Sequence, residues 1–177
     1  MFKKFNFRDD VAGQSQVKTS VQRSIRAKIL AQYPLLGPII DDLLPKKTPM
    51  VLVKWSTNTS TSSLSTTRSS SSSTLMGLSF QVYGWFTNVQ VDRGAIKFVL
   101  SGAMIMCPGL TSKGARMNVE LPAESVVAVM AEGKEHAMAV GLTKMSTEDI
   151  RKVNKGSGVD NMHHLNDPLW KETAIQS

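Results

Sequence analysis

The residue types that most often carry catalysis are few in this chain, and their spacing assembles no active site. His163 and His164 are adjacent, so on a strand they point to opposite faces and on a helix they lie about 100° apart; neither geometry suits a metal-binding pair. Cys107 is the only cysteine and lies in an apolar run, which is typical of a core thiol. Gly102 and Gly109 belong to no phosphate-binding loop, because the Gly-Lys-Ser/Thr ending is missing. The sequence predicts a protein that is not an enzyme and that uses no metal or cofactor.

Positive charge is concentrated in the first third of the chain. The whole chain carries 21 Lys/Arg against 14 Asp/Glu, a formal net charge of +7, and residues 1–54 alone account for +6. A concentrated positive field suits a polyanion such as RNA, and the solvated surface of a basic protein is the alternative. The candidate phosphate contacts in this part of the chain are Lys3, Lys4, Arg23, Arg26, Lys46 and Lys47.

The first segment with clear periodicity is a helix. Residues 17–29 place an apolar side chain at every fourth position, which predicts a helix with Arg23 and Arg26 pointing away from the apolar stripe. The helix should end at Tyr33, because the residue before a proline is disfavoured in the α region.

A serine- and threonine-rich tract follows a strand that is predicted to begin at Met50–Val53. From Ser56 to Thr74, sixteen of nineteen residues are Ser or Thr. Such a tract buries too little apolar area to offset its chain entropy, so it is predicted to be disordered. A phosphorylatable linker is one functional interpretation of it.

From Val89 onward the pattern predicts a small β-barrel, because several short strands follow one another closely. A short helix is predicted from Ser146, its N-cap, to Asn154, with Gly156 as its C-terminal stop, and the ten scattered methionines are expected to fill gaps in the core. The predicted strands cover residues 95–100, 105–110 (a strand or a tight loop), 125–130 and 136–142, with a turn at 132–134.

The strongest local signal is the run Val91–Ala103 leading into Met106–Leu110. Its glycines would let a nucleic-acid or protein backbone approach closely, and the chain reversal at Ser101–Ala103 predicts a positive φ at Gly102. This segment resembles the first part of a PUA domain, the small RNA-binding barrel of pseudouridine synthases and archaeosine transglycosylases. The resemblance implies an RNA-contacting surface that would consist of Arg93, Lys97, Phe98, Gly102 and Ala103. For Phe98, a core position is the alternative.

The resemblance extends beyond this superfamily to one family over residues 1–54 and 89–171. The chain is similar to the malignant T-cell-amplified sequence family, called translation machinery-associated protein 20 in yeast. The segments that carry the similarity are Met1–Phe5, Leu44–Lys47, Gly94–Ala103, Met130–Lys134, Glu148–Ile150, Val153–Gly156, His164–Asp167 and Leu169–Trp170.

The family resemblance implies an α+β fold in two parts. An N-terminal α/β pre-PUA domain would occupy residues 1–88, a PUA-like β-barrel residues 89–171, and a tail residues 172–177. The implied function is non-enzymatic RNA and ribosome binding in translation initiation, reinitiation and small-subunit recycling. The implied partners are the small ribosomal subunit, tRNA or rRNA, and density-regulated protein, with no small-molecule substrate. A protein scaffold whose basic charge is incidental is the alternative function.

The location implied is the cytoplasm. The chain has no run of 18 apolar residues that would predict a membrane span, and its first residues lack the apolar core of a secretory signal.

The chain departs from the family pattern at three places. Met104 stands where the family usually has Asn, and Lys113 stands where a proline is usual. The third place is residues 55–88. Re-reading the codons there from the third base permits Asp-Gly-Pro at Leu75–Leu78 and Pro-Ser-Leu-Arg-Leu-Val-His-Gln-Cys at Phe80–Asn88. The family resemblance has Asp-Gly-Pro followed shortly by Pro-Thr-Leu-Arg-Leu-Leu-His at this place. The hypothesis is that residues 55–88 are a frame-shifted translation; divergence into a linker is the alternative.

Overall fold

The structure is a computed structural model that describes residue 9 and residues 11–46, 50–57, 60–67 and 87–171. Contacts between residues divide the chain into two units, which among the described residues are 11–67 and 87–171. In the part of the chain that the structure describes, no helix is long and apolar enough to span a membrane.

The first unit contains the helix that the sequence predicts. Helix α1 (Thr19–Gln32) is followed by Tyr33, whose N–H donates to the carbonyl of Ile29 at 2.8 Å. Pro34 then begins a 3₁₀ helix (Pro34–Ile39), which leads into helix α2 (Ile40–Leu43). The apolar stripe is less buried than predicted, because Val21 is 47% exposed.

Three antiparallel strands accompany these helices, in the order β1-β2-β3. They are β1 (Val11–Gln16), β2 (Met50–Thr57) and β3 (Ser60–Thr67). Strands β2 and β3 pair along their whole length, from Met50 opposite Thr67 to Thr57 opposite Ser60. The strand predicted to begin at Met50 is therefore confirmed.

The prediction of disorder is wrong for the part of the serine tract that lies in β2 and β3. Ser56, Thr57 and Ser60–Thr67 are in paired strands. The reason is that the hydrogen-bond ladder satisfies the backbone whatever side chains it carries, and threonine is a favourable strand residue. Residues 58–59 and 68–74 of the tract lie outside the described residues.

The second unit is built on a mixed sheet of five strands in the order β4-β6-β7-β8-β5. Strand β4 pairs with β6 in parallel, and the other pairs are antiparallel. The strands are β4 (Asn88–Val91), β5 (Ile105–Met106), β6 (Val126–Ala131), β7 (Ala137–Thr143) and β8 (Ser157–His164). The helices are α3 (Ile96–Leu100), α4 (Pro108–Thr111), α5 (Thr147–Val153) and α6 (Pro168–Lys171).

The core of this unit is apolar and draws on nearly every element. Its buried residues include Val89, Val91, Val99, Ile105, Cys107, Leu110, Val127, Val129, Met138, Ile150 and Val159. The predicted strands at 125–130 and 136–142 correspond to β6 and β7, and Gly133, with φ of +73°, lies in the predicted turn between them.

The predicted strand at Ala95–Leu100 is wrong: these residues form helix α3. Short apolar runs do not distinguish a strand from a helix by periodicity, and here only Val99 is fully buried within the helix. The prediction of a strand or tight loop at Ile105–Leu110 is confirmed only for the two residues of β5, because Pro108 begins helix α4.

The predicted helix from Ser146 to Asn154 is confirmed together with its cap, but Gly156 is not the residue that ends it. The Asp149 N–H donates to the Ser146 hydroxyl oxygen at 3.1 Å, so Ser146 caps α5. The residue that ends α5 in the left-handed region is Asn154, with φ of +43°, two positions before Gly156. The methionine prediction fails at Met104 and Met106, which are 54% and 50% exposed.

Candidate nucleic-acid interface

The start of helix α3 is fixed by Asp92. Its Oδ1 accepts a hydrogen bond from the Ala95 N–H at 2.8 Å, and its Oδ2 accepts one from the Ser112 hydroxyl. The Ser112 hydrogen bond and the N–H groups of Ala95 and Gly94 hold the pKa of Asp92 below its usual value, against the opposing effect of burial. The charged carboxylate therefore ties the first turn of α3 to the residue that follows α4.

The end of helix α3 is a tight turn that requires a glycine. The Ala103 N–H donates to Phe98 O at 3.0 Å and the Gly102 N–H donates to Val99 O at 2.9 Å, the two bonds of a Schellman motif. Gly102 has φ of +77°, in the left-handed region that glycine adopts without steric cost. The expected positive φ at Gly102 is confirmed, although the turn follows a helix rather than a strand.

Helix α3 presents an aromatic ring and a cation to solvent. Phe98 is 55% exposed, so the alternative of a core position for Phe98 is wrong. The Lys97 Nζ lies 5.0 Å from the centroid of the Phe98 ring, a cation–π contact. An exposed aromatic ring beside a flexible cation can stack on a nucleobase and contact a neighbouring phosphate.

Two exposed methionines follow the turn along the chain. Met104 and Met106 lie on either side of Ile105, which is buried because side chains alternate along β5. The sequence-based prediction that the methionines fill core gaps is wrong for both of them. The signal that could have placed them outside is their alternation with Ile105.

The segment that contains this surface carries positive charge only. Between residues 93 and 119 the sequence has four basic residues and no acidic one. All four side chains are exposed: Arg93, Lys97, Lys113 and Arg116. Of the residues predicted for the PUA surface, Arg93 precedes α3, Lys97 and Phe98 lie on it, and Gly102 and Ala103 form its terminal turn.

The predicted N-terminal contacts divide into three groups. Arg23 is exposed on α1. Arg26 and Lys46 both bind Asp41, and Lys46 Nζ lies 3.2 Å from Asp41 Oδ2. Their hydrogen bonds lower the pKa of the Asp41 carboxyl, and the bond from Arg26 has the larger effect. Lys3, Lys4 and Lys47 lie outside the described residues.

Arg26, which is predicted to point away from the apolar stripe of α1, is mostly buried within the first unit. Its side chain is 12% exposed, and its guanidinium donates to Asp41 and to the carbonyls of Ile40 and Leu44 around α2. Arginine suits this position because its guanidinium has several N–H donors, which can bond to a helix C-terminus and to a carboxylate at the same time. The Arg26 guanidinium is thus used within the fold.

Cys107 and the two histidines have structural roles. Cys107 is fully buried, and burial raises the pKa of its thiol, which donates to Lys155 O at 3.4 Å. His163 Nδ1 donates to the buried Asp167 at 2.7 Å, whereas the His164 ring is bonded to Leu165 O at 2.9 Å. Within the described ranges no group of three or more His, Cys, Asp or Glu side chains could hold a metal ion.

Two parts of the chain each match a known domain family. Residues 5–70 match the Pre-PUA-like domain and residues 87–165 match the PUA domain. Among solved structures, a hypothetical protein of Pyrococcus horikoshii OT3 has a TM-score of 0.62 and 22% identity, over 92% of this chain and 100% of its own. A PUA-domain protein of Aeropyrum pernix K1 has a TM-score of 0.56 and 20% identity, over 91% and 90%. These likenesses support the α+β fold with a PUA domain.

Curated relatives match over nearly the full chain. Translation machinery-associated protein 20 of Eremothecium gossypii is 47% identical over 99% of this chain and 100% of its own length. The malignant T-cell-amplified sequence 1 homolog of Dictyostelium discoideum is 45% identical over the same shares. Malignant T-cell-amplified sequence 2 of Homo sapiens is 44% identical over 96% of this chain and 97% of its own length. The chain therefore belongs to the malignant T-cell-amplified sequence family, which includes translation machinery-associated protein 20.

Proposed function

We propose that this chain is an RNA-binding factor of the translation machinery and not an enzyme. The observation that carries the proposal is the surface formed by α3 and its terminal turn, where the exposed Phe98 ring and Lys97 lie in a stretch without acidic residues. The name of the Eremothecium relative, translation machinery-associated protein 20, supports the same biological context.

The chemistry of this surface fits RNA with at least one unpaired base. Arg93 and Lys97 supply charge for the phosphates, and Phe98 supplies a ring for stacking. Met104 gives this chain an apolar neighbour to the turn where the family resemblance has Asn, so contact there is through apolar area instead of a hydrogen bond.

The finer proposal follows the family resemblance. The chain acts in initiation, reinitiation and recycling in the cytoplasm, binds the small ribosomal subunit and tRNA or rRNA, and pairs with density-regulated protein. Further proposed RNA contacts, in the first unit, are Lys3, Lys4, Arg23, Lys46 and Lys47. Arg26 is left out because its guanidinium is engaged with Asp41 and α2.

The test is the salt dependence of RNA binding, measured by fluorescence anisotropy with a labelled single-stranded RNA. Lys97→Ala should weaken binding several-fold and reduce the slope of log affinity against log salt by about 0.7–1, the value for one lost phosphate contact. The matched control is Lys152→Ala, whose exposed Nζ pairs with Glu148 at 2.6 Å on α5.

The scaffold alternative predicts a different result. If wild type binds neither this RNA nor purified small subunits in a salt-dependent manner, the basic charge is incidental and the proposed function is wrong. If Lys97→Ala and Lys152→Ala lower affinity equally, RNA binding is diffuse over the second unit and the assignment to α3 is wrong.

A further inference from the structure

A buried side chain on β8 holds the turn that ends helix α3. Asn161 is 6% exposed, and its Nδ2 donates to Val99 O at 2.9 Å and to Ala103 O at 3.1 Å. The two acceptors lie 62 and 58 residues away in the sequence. Both hydrogens of the amide nitrogen are used, so a side chain with a single donor could not make this pair of bonds.

The two carbonyls lie on either side of Gly102, where the chain changes direction. Val99 O also accepts the Gly102 N–H of the Schellman motif, and Ala103 is the last residue of the turn before Met104 and β5. Asn161 therefore links the helix end to the start of the following strand, across the left-handed residue.

Asn161 is itself held in the interior of the sheet. It pairs with Gly141 on β7, and Val159, two positions earlier on β8, pairs with Ile105 on β5. A Cβ at Gly141 would overlap a Val159 methyl group and lie 2.8 Å from Asp160 O, so β7 and β8 approach closely here. The amide of Asn161 is thus a rigid reference point for the turn.

We propose that Asn161 is a positioning residue for RNA binding: through Val99 O and Ala103 O it fixes the direction in which α3 presents Lys97 and Phe98. This inference rests on the proposed function, since it assumes that RNA contacts α3. Asn161 itself touches no RNA, because its side chain is buried.

The experiment compares Asn161→Leu, which has a similar volume and no donor, with Asn118→Leu, the same change at an exposed asparagine of the same unit. We expect Asn161→Leu to weaken binding of the labelled single-stranded RNA about tenfold, the effect of one or two buried hydrogen bonds. Amide exchange should become faster at Gly102 and Ala103 while the β6 and β7 amides stay protected. Asn118→Leu should change neither.

A double-mutant cycle separates positioning from general stability. In a Lys97→Ala/Phe98→Ala background, treated as one change in the cycle, Asn161→Leu should lower the RNA affinity by less than about twofold, because both groups that it positions are already gone. Equal losses in both backgrounds would overturn the proposal, as would wild-type affinity in Asn161→Leu. If Asn161→Leu fails to fold, Asn161→Ser, which keeps a hydroxyl donor, is measured in the same cycle and judged by the same outcomes.

Failure of the proposed function can be distinguished from failure of the inference about Asn161. If both Lys97→Ala and Phe98→Ala bind RNA with wild-type affinity, RNA does not bind this surface. Asn161 then has no role in RNA binding. The exchange rates of Gly102 and Ala103 would then still show whether Asn161 holds the turn.

Discussion

Gly102 connects the conformation of a single residue to the shape of the candidate interface. Its φ of +77° places it where a β-branched side chain is most strained, and its N–H is committed to Val99 O. We expect Gly102→Val to cost about 1–3 kcal/mol of unfolding free energy and to reduce RNA binding as well. Because φ is positive, Gly102→Ala is also strained and should cost about 1–2 kcal/mol.

Thermal melts and RNA anisotropy measure these two effects. Gly37→Ala is the control, because a Cβ at Gly37 would meet open space and the residue has no positive φ. If Gly102→Val melts like wild type and binds RNA with wild-type affinity, Gly102 is neither under backbone strain nor close to bound RNA.

Asp167 is a buried carboxylate that stabilises the connection between β8 and α6. Its oxygens accept hydrogen bonds from the His163 ring and from the N–H groups of His164 and Trp170. Burial alone would raise the pKa of Asp167, but these hydrogen bonds and the neighbouring His163 outweigh it and hold the pKa below the usual value.

A lowered pKa makes the contribution of Asp167 to stability dependent on pH. The charged form is favoured by folding, so its contribution is fully present at neutral pH and is lost as the pH falls below about 4. Asp167→Asn should be less stable than wild type by about 1–3 kcal/mol at pH 7, and the difference should shrink towards pH 3. Urea unfolding at both pH values measures it; an equal difference at pH 7 and pH 3 would rule out the charged carboxylate as the cause.

At the scale of elements, the pairing of β7 with β8 determines where the α3 turn can lie. Gly141 permits this pairing because a Cβ at this position would overlap Val159 and press on Asp160 O. The register of the pair shifts between Val140 and Gly141, which places Gly141 opposite Asn161.

Gly141→Ala should therefore destabilise the second unit by about 1–3 kcal/mol, the usual cost of overpacking a filled interior. Val159→Ala in the same chain removes the methyl that the new Cβ would strike but leaves the backbone contact. The double variant should consequently be less unstable than the sum of the two single changes. Chemical denaturation of the four proteins gives these values, and additive losses would show that Gly141 and Val159 do not compete for the same space.

At the scale of the whole molecule, the hypothesis of a frame shift concerns residues 55–88, which include the end of β2 and all of β3. It predicts that the messenger carries an open alternative frame between Lys54 and Val89. Sequencing the cDNA across codons 50–92 is the measurement. If those codons are read as printed, with no insertion or deletion at either boundary, the tract is a genuine divergence of this chain.

The sequence by itself determined the features that depend on local pattern and on resemblance. The four-residue spacing of apolar side chains predicted α1, and Pro34 predicted its end, because both act within one turn of helix. Apolar runs bounded by turns predicted β6 and β7, and the glycine turn at Gly102 required positive φ. The two-domain α+β order followed from motifs that the family shares.

Only the tertiary structure decided the features that depend on distant partners. The apolar run at 95–100 is helix α3 and not a strand, and its ends bond to side chains of other segments: Asp92 accepts a hydrogen bond at its start, and Asn161, about sixty residues away, donates to a carbonyl at its end. Arg26 turned inward because Asp41 and the end of α2 offered acceptors, and Phe98 stayed exposed because Val99 supplied the helix's buried contact. A hydrogen bond or a buried contact is made between surfaces that only the folded chain brings together, so local pattern alone did not predict that Arg26 would be mostly buried and Phe98 exposed.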